Sequence, residues 1–121
     1  MKLMKTPIRI KLTDTVGSNL CVSSEDGGAV FEKLQAALQT DRPIELDFSG
    51  IDMVISAFLN AAVGRLAEHR SIKQIHERIT FKNLGDDDRE LVDRVLENAV
   101  CFYEAPDRFR KALEIDKDDE E

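Results

Sequence analysis

The chain has 121 residues, of which 42% are apolar and 34% charged, a composition typical of one globular domain rather than a disordered chain. Its net charge of −7 and pI of about 4.9 argue against nucleic acid or an anionic membrane as the main partner. No apolar run is long enough for a signal-peptide core or a membrane span, so we expect a cytoplasmic protein. Cys21 and Cys101 lie among apolar neighbours, which predicts two buried free thiols.

Two short apolar stretches near the N-terminus predict a β-hairpin. Residues 8–12 alternate isoleucine or leucine with arginine and lysine, which is the period of a strand with one buried face. Residues 13–19 contain an aspartate and a glycine and predict a turn. Leu20 and Val22 then predict a second short strand that returns along the first.

The first long helix is predicted to begin at residues 23–26, where two serines precede two acidic residues. Gly27 and Gly28 weaken its first turn by about 1 kcal/mol each relative to alanine. One apolar face then follows at helical spacing: Val30, Phe31, Leu34, Ala37 and Leu38. Residues 40–43, Thr-Asp-Arg-Pro, are predicted to end the helix.

The central stretch of the chain predicts a strand, a tight loop and a helix. Residues 44–48 alternate apolar and acidic side chains, and a serine–glycine pair ends this strand. The loop of residues 51–55 is strongly apolar, so it either enters the core or forms part of an exposed apolar patch. Ser56 directly precedes the helical pattern of residues 57–66, which predicts that Ser56 is the helix N-cap.

The last third of the chain continues the alternation of strand and helix. Residues 71–78 are ambiguous and predict a short helix that leads into a strand over residues 79–84. Asp86-Asp87-Asp88 supplies negative charge to the start of a third amphipathic helix. Its apolar face contains Leu91, Val92, Val95, Leu96, Ala99 and Val100. Pro106 is suited to the first position of a short last helix.

This order of elements predicts an α/β domain with a small mixed sheet of about four strands. Strands that alternate with helices imply right-handed crossovers and some parallel pairs. The acidic residues at alternate positions of residues 44–48 place the helices mainly on one face of the sheet. We expect a single domain over residues 1–115, followed by a solvated acidic tail at residues 116–121.

The central block I-E-L-D-F-S-G-I-D-M-V-I-S-A-F-L-N-A-A-V-G-R-L resembles the centre of bacterial STAS-like domains of unknown function, which are relatives of anti-sigma-factor antagonists. The matching pieces are L-D-F-S-G, I-S-x-F-L and the later strand I-T-F-K-N-L. The resemblance extends more weakly from about Ile8 to Val100. It implies the STAS fold and a regulatory, protein-binding role in signalling.

Ser56 is the candidate phosphoacceptor, since it resembles the serine or threonine that a partner kinase phosphorylates in anti-sigma-factor antagonists. The family pattern places an acidic residue before this position and a glycine after it, whereas this chain has Val54-Ile55 and Ala57. The alternative is that Ser56 is an N-cap alone, worth about 1 kcal/mol. The predicted partner-binding residues are Asp52, Met53, Val54, Ser56, Ala57 and Asn60.

No arrangement of residues in the sequence predicts a reaction, a metal site or a cofactor. Asp47 and Asp52 flank the apolar loop, but no basic residue follows closely, so we interpret them as a hydrogen-bond acceptor and a turn residue. His69 and His76 do not have the spacing of zinc ligands and are predicted to lie on the surface.

The sequence therefore predicts a non-enzymatic, STAS-like interaction module with no cofactor. The resemblance implies a protein partner, a histidine-kinase-type ATPase, and a switch by phosphorylation of Ser56. The alternative is a module that senses a nucleotide or lipid in a cleft between the end of the 44–48 strand and the start of the Ser56 helix. A homodimer is a further option.

Overall fold

The computed structural model describes residues 5–104, so the predicted last helix after Pro106 and the acidic tail lie outside the described residues. The elements in chain order are β1 (Ile8–Lys11), α1 (Leu12–Val16), β2 (Leu20–Cys21), α2 (Ser24–Leu38), β3 (Ile44–Asp47), β4 (Met53–Val54), α3 (Ser56–Ala62), a 3-10 helix (Gly64–Glu68), α4 (Ile72–Arg78), β5 (Ile79–Lys82) and α5 (Asp86–Glu104).

Three strands form a parallel sheet in the order β1-β3-β5, so β3 is central. Ile8, Ile44 and Ile79 lie side by side in this register. β2 and β4 form a separate parallel ribbon, in which Leu20 pairs with Met53. The predicted α/β fold is confirmed, although the strands divide into a group of three and a group of two, and all described pairs are parallel.

One face of the three-stranded sheet is buried, as the alternation in its sequence predicts. The buried side chains of these strands include Ile10, Ile44, Leu46, Ile79 and Phe81. The residues between them on the edge strands are exposed and polar: Arg9, Lys11, Thr80 and Lys82. The helices therefore cover mainly one face, and the core contains Leu34, Phe58, Leu66 and Leu96 from four different helices.

Helix α2 begins where the sequence predicts, and it packs closely against α3. The hydroxyl of Ser23 accepts a hydrogen bond from Asp26 N at 3.0 Å and caps the helix. The helix continues through both glycines. A Cβ atom on Gly27 would lie 2.4 Å from the carbonyl oxygen of Phe58 and 2.9 Å from the Ala61 Cβ, so the lack of a side chain at Gly27 permits this contact.

The predicted N-terminal hairpin is wrong. Residues 13–19 do not form a simple turn, because helix α1 occupies the connection and ends at Gly17, which has a φ of +78°. The chain that leaves α1 does not return along β1, and β2 pairs instead with β4, more than thirty residues later. A hairpin prediction considers only neighbouring strands, and a two-residue strand can equally pair with a distant one.

Two further predictions need correction. The helix that starts at Ser56 ends at Ala62 rather than continuing to residue 66, and the chain resumes as a 3-10 helix after Val63. Both cysteines are free, but only Cys21 is buried, whereas Cys101 is exposed. Cys101 is five positions after Leu96, so it lies away from the buried face of α5.

Within the described residues, no helix combines the length and the apolar character that crossing a membrane requires.

Candidate protein-interaction site

The β2–β4 ribbon positions the starts of two neighbouring helices. β2 leads into α2 and β4 leads into α3, and because the two strands are parallel, both helices begin at the same end of the ribbon. Asp52 N donates to Asn19 O at 2.7 Å, and Ile55 N donates to Cys21 O at 3.1 Å. The side-chain amide of Asn19 also donates to the Asp52 carboxylate. These bonds fix the ribbon at both of its ends.

The ribbon carries all the large hydrophobic side chains that are exposed within residues 5–104. They are Leu20 (41% exposed), Val22 (39%), Met53 (53%) and Ile55 (36%), and we call these four residues the ribbon patch. Cys21 and Val54 alternate with them and are buried. Both options for the 51–55 loop are therefore realised in part, because Val54 enters the core while Met53 and Ile55 face solvent.

Acidic side chains border the ribbon patch. Asp52 is exposed on the ribbon itself, and Glu25 and Asp26 occupy the first turn of α2, where the helix dipole favours negative charge. Burial, and secondarily the charge of Asp26, raises the pKa of the Cys21 thiol to about 11. The thiol is therefore protonated at neutral pH and is not a nucleophile.

Ser56 is exposed, but it does not have the capping role that the sequence predicts. The N-cap of α3 is Ile55, and no side chain caps this helix. The extended backbone persists to Ile55, which is bonded to Cys21 O, so Ser56 is already the first helical residue. Its hydroxyl makes no hydrogen bond within the described part of the chain, and the residue is exposed to solvent.

The presence of a capping bond at Ser23 and its absence at Ser56 predict unequal results for two serine-to-alanine substitutions. Ser23→Ala should reduce the free energy of unfolding by about 1 kcal/mol, because it removes a real N-cap. Ser56→Ala should change it by less than about 0.5 kcal/mol, because alanine is a good helix former and no bond is lost. Urea denaturation of both variants provides the measurement. An equal loss in the two variants would contradict the placement of the helix start.

The predicted partner-binding residues mostly share this surface. Asp52, Met53, Ser56, Ala57 and Asn60 are exposed, whereas Val54 is buried at 8% exposure and is not available to a partner. Sequence reasoning did not assign Leu20 or Val22 to the surface, and it left Ile55 open between the core and an exposed patch. The signal for Leu20 and Val22 was present in their alternation, but their exposure depends on a partner strand that the local sequence does not identify.

Three clefts elsewhere are relevant to the alternative of small-molecule binding. One of about 240 Å³ lies between α3 and α5 and includes Asn60 and Arg65. A second, of about 540 Å³, surrounds Lys5 and Arg78, and a third, of about 380 Å³, lies between β1 and α2. None of these three clefts is lined by Ser56 or by the end of β3.

The aspartate and histidine residues considered in the sequence have the surroundings of structural or surface residues. Asp47 is buried at the end of β3, where its Oδ1 accepts bonds from Asn83 Nδ2 at 2.7 Å and Ser49 N at 2.9 Å. The bond from Asn83, followed by that from Ser49, lowers the pKa of this carboxyl. The interpretation of Asp47 as a hydrogen-bond acceptor is confirmed. His69 and His76 are exposed, and residues 5–104 contain no cluster of three or more potential metal ligands.

These features define a small α/β domain whose parallel strands lead into adjacent helices and whose β2–β4 ribbon exposes apolar side chains. Comparison with protein-family models matches residues 26–89, just over half of the chain, to a family described as a STAS-like domain of unknown function. The chain belongs to this family, which confirms the resemblance seen in its central block. No curated protein and no solved structure matches the chain.

Proposed function

We propose that this chain is a non-enzymatic, cytoplasmic regulatory module that binds a protein partner through the ribbon patch and the first turn of α3. The observation that supports this proposal is the clustering of Leu20, Val22, Met53 and Ile55 on one ribbon. Single exposed hydrophobic residues are common, but a contiguous group is typical of a surface that another molecule covers. Full burial of an exposed Val, Leu, Ile or Met side chain contributes about 1.5–3 kcal/mol, so covering these four, which are 36–53% exposed, contributes roughly half of that for each.

The chemistry of the surface selects the kind of partner. An apolar centre with Asp52, Glu25 and Asp26 at its border fits a partner with an apolar patch and a basic rim. By resemblance to anti-sigma-factor antagonists, the partner class is a histidine-kinase-type ATPase.

Ser56 is the switch in this proposal. Its exposed hydroxyl directly follows Ile55 of the ribbon patch, so a phosphate on it would bring a charge of nearly −2 to the edge of the apolar contact. The first turn of α3 contains no acidic residue, unlike that of α2, so the partner surface opposite Ser56 is apolar rather than basic in this proposal. That apolar surface would have to desolvate the phosphate, which weakens binding. The unmodified domain binds its partner, and the phosphorylated domain releases it.

A charge introduced into the ribbon patch tests the binding surface. Met53→Asp should weaken partner binding at least about tenfold, because it places a carboxylate where the partner needs an apolar contact. The control is Thr80→Asp, which introduces the same group at an exposed strand position outside the patch. The partner is isolated from the native extract on immobilised wild-type domain, and its affinity is measured by calorimetry. Equal affinity of both variants would refute the proposed surface.

The switch requires its own comparison. Ser56→Asp should reduce the affinity for the same partner, and Ser56→Ala should retain it, because alanine adds neither charge nor bulk. If neither variant differs from wild type while Met53→Asp does, the binding surface stands and the switch is refuted.

A further inference from the structure

The outer edge of β1 has unpaired backbone amides. Ile8 N donates to Pro43 O at 2.8 Å, and Ile8 and Ile10 are in register with Ile44 and Leu46 of β3. Successive residues of a strand direct their backbone groups to opposite sides, so the amide of Arg9 points away from β3, as does that of residue 11. Neither amide has a hydrogen-bond acceptor within residues 5–104.

An apolar groove runs along the same edge, between β1 and α2. It has a volume of about 380 Å³, and its lining includes Ile8, Ile10, Ala36 and Ala37, with Lys33 and Thr40 at its border. The small side chains of the two alanines leave this space open. A strand that paired with β1 would direct every second side chain into the groove, which is the geometry of strand addition.

The charges around this edge are positive, although the whole chain is acidic. Arg9 has a side chain that is 64% exposed, and Lys11 and Lys33 are also exposed. The carboxylate nearest to Arg9 is that of Glu45, which is mostly covered and already pairs with the Arg9 guanidinium at 3.2 Å. A second copy of this chain, added through its own β1, would bring like charges together, so the edge favours a partner that carries Asp or Glu.

We propose that β1 and its groove accept an extended acidic peptide segment of another protein as an additional strand of the sheet. The peptide amides and carbonyls pair with residues 9 and 11, its alternate small apolar side chains enter the groove, and its carboxylates lie on the opposite face of the sheet, beside Arg9 and Lys11. This site is separate from the ribbon patch, and its evaluation does not depend on the function proposed above.

A random library of displayed peptides, selected against the whole 121-residue chain, provides the probe. The enriched sequences should alternate small apolar residues with Asp or Glu. One enriched peptide, made synthetically, should bind Lys11→Glu about fivefold more weakly than wild type, because Lys11 lies on the face of β1 that the peptide carboxylates share. The matched control is Lys73→Glu, which reverses an exposed charge on α4 and should not change the affinity. A library without enrichment, or equal binding to both variants, overturns the proposal.

Amide hydrogen exchange measured by NMR identifies the mode of binding. The amides of Arg9 and Lys11 should exchange rapidly in the free domain and slow down at least tenfold when the peptide is bound. A peptide N-methylated on the side that pairs with β1 should not bind, whereas one methylated on the opposite side should bind normally. Unchanged exchange at both amides overturns the proposal. A second contradictory result would be amides of Arg9 and Lys11 that are protected in the free protein and become more protected as its concentration rises. Such protection would mean that the edge of β1 is covered by self-association.

Discussion

Replacement of Gly27 by alanine is expected to lower the free energy of unfolding by about 3 kcal/mol, even though alanine is the better helix former. The added Cβ would lie 2.4 Å from the carbonyl oxygen of Phe58 and 3.2 Å from Ala62 N. Both atoms belong to the backbone of α3, so no side-chain rotation relieves the overlap. The two helices must separate, and the core contacts between them are lost.

Gly28 is the matched control, because it lies in the same helix one position later. A Cβ on Gly28 would meet no atom within 4 Å. Gly28→Ala should therefore raise the free energy of unfolding by about 0.5–1 kcal/mol, the ordinary gain from replacing a helical glycine. Urea denaturation of the two variants measures the difference. If Gly27→Ala were as stable as Gly28→Ala, the close approach of α2 and α3 would be incorrect.

The same comparison connects packing with the proposed function. α2 and α3 begin at the end of the ribbon, so a shift between them moves Ile55 and Ser56 relative to Val22. Gly27→Ala should thus also weaken binding at the ribbon patch, whereas Gly28→Ala should not. A destabilised variant that retained full affinity would indicate that the patch does not require the fixed spacing of the two helices.

The elements with a clear hydrophobic period were predictable from the sequence. The faces of α2 and α5 repeat at helical spacing, and the edge strands β1 and β5 alternate covered and exposed residues as predicted. Central β3 departs from the alternation, because Glu45 is half-buried and Asp47 is buried. Each of these patterns arises because one face of the element packs against the common core. The local sequence is therefore sufficient to identify the type of element and its buried face. The α/β class and the mainly one-sided cover of helices follow from the same signal.

The ribbon was not predictable, because its formation depends on residues far apart in the chain. β2 and β4 contain two residues each, too few to show a period, and their pairing joins Leu20 to Met53. Without this pairing, the sequence cannot indicate that Val54 is buried while its two neighbours are exposed. The position of the α3 start depends on the same contact, since the bond from Ile55 N to Cys21 O keeps residue 55 extended.

The two glycines show a related limit. Sequence alone assigns Gly27 and Gly28 the same cost, because both lack a side chain in a helix. The structure separates them, since only Gly27 faces α3. A glycine that permits close helix contact has no local sequence signature, and its role depends on which residue of another helix lies opposite.

Asp47→Ala is expected to reduce the free energy of unfolding by about 2 kcal/mol at pH 7, because two donors at the end of β3 lose their acceptor. Asn83 Nδ2 and Ser49 N both donate to Asp47 Oδ1, and these bonds connect β3 to its own turn and to the residue after β5. Asp47→Asn retains an acceptor oxygen of similar shape and should cost less. Asp93→Asn removes an exposed carboxylate from α5 and should have little effect at this pH.

The pH dependence of stability provides a second, independent test of Asp47. Its pKa in the folded protein is lowered, so its stabilising contribution is complete above the pKa of an unfolded aspartate, about 3.9, and is lost as the pH falls through the lower folded value. Wild-type protein should therefore lose stability below about pH 4 more steeply than Asp47→Asn, and the two curves should converge in acid. Urea denaturation at a series of pH values measures both curves. Parallel curves would mean that the Asp47 carboxylate gains nothing from its bonds to Asn83 and Ser49 in the folded state.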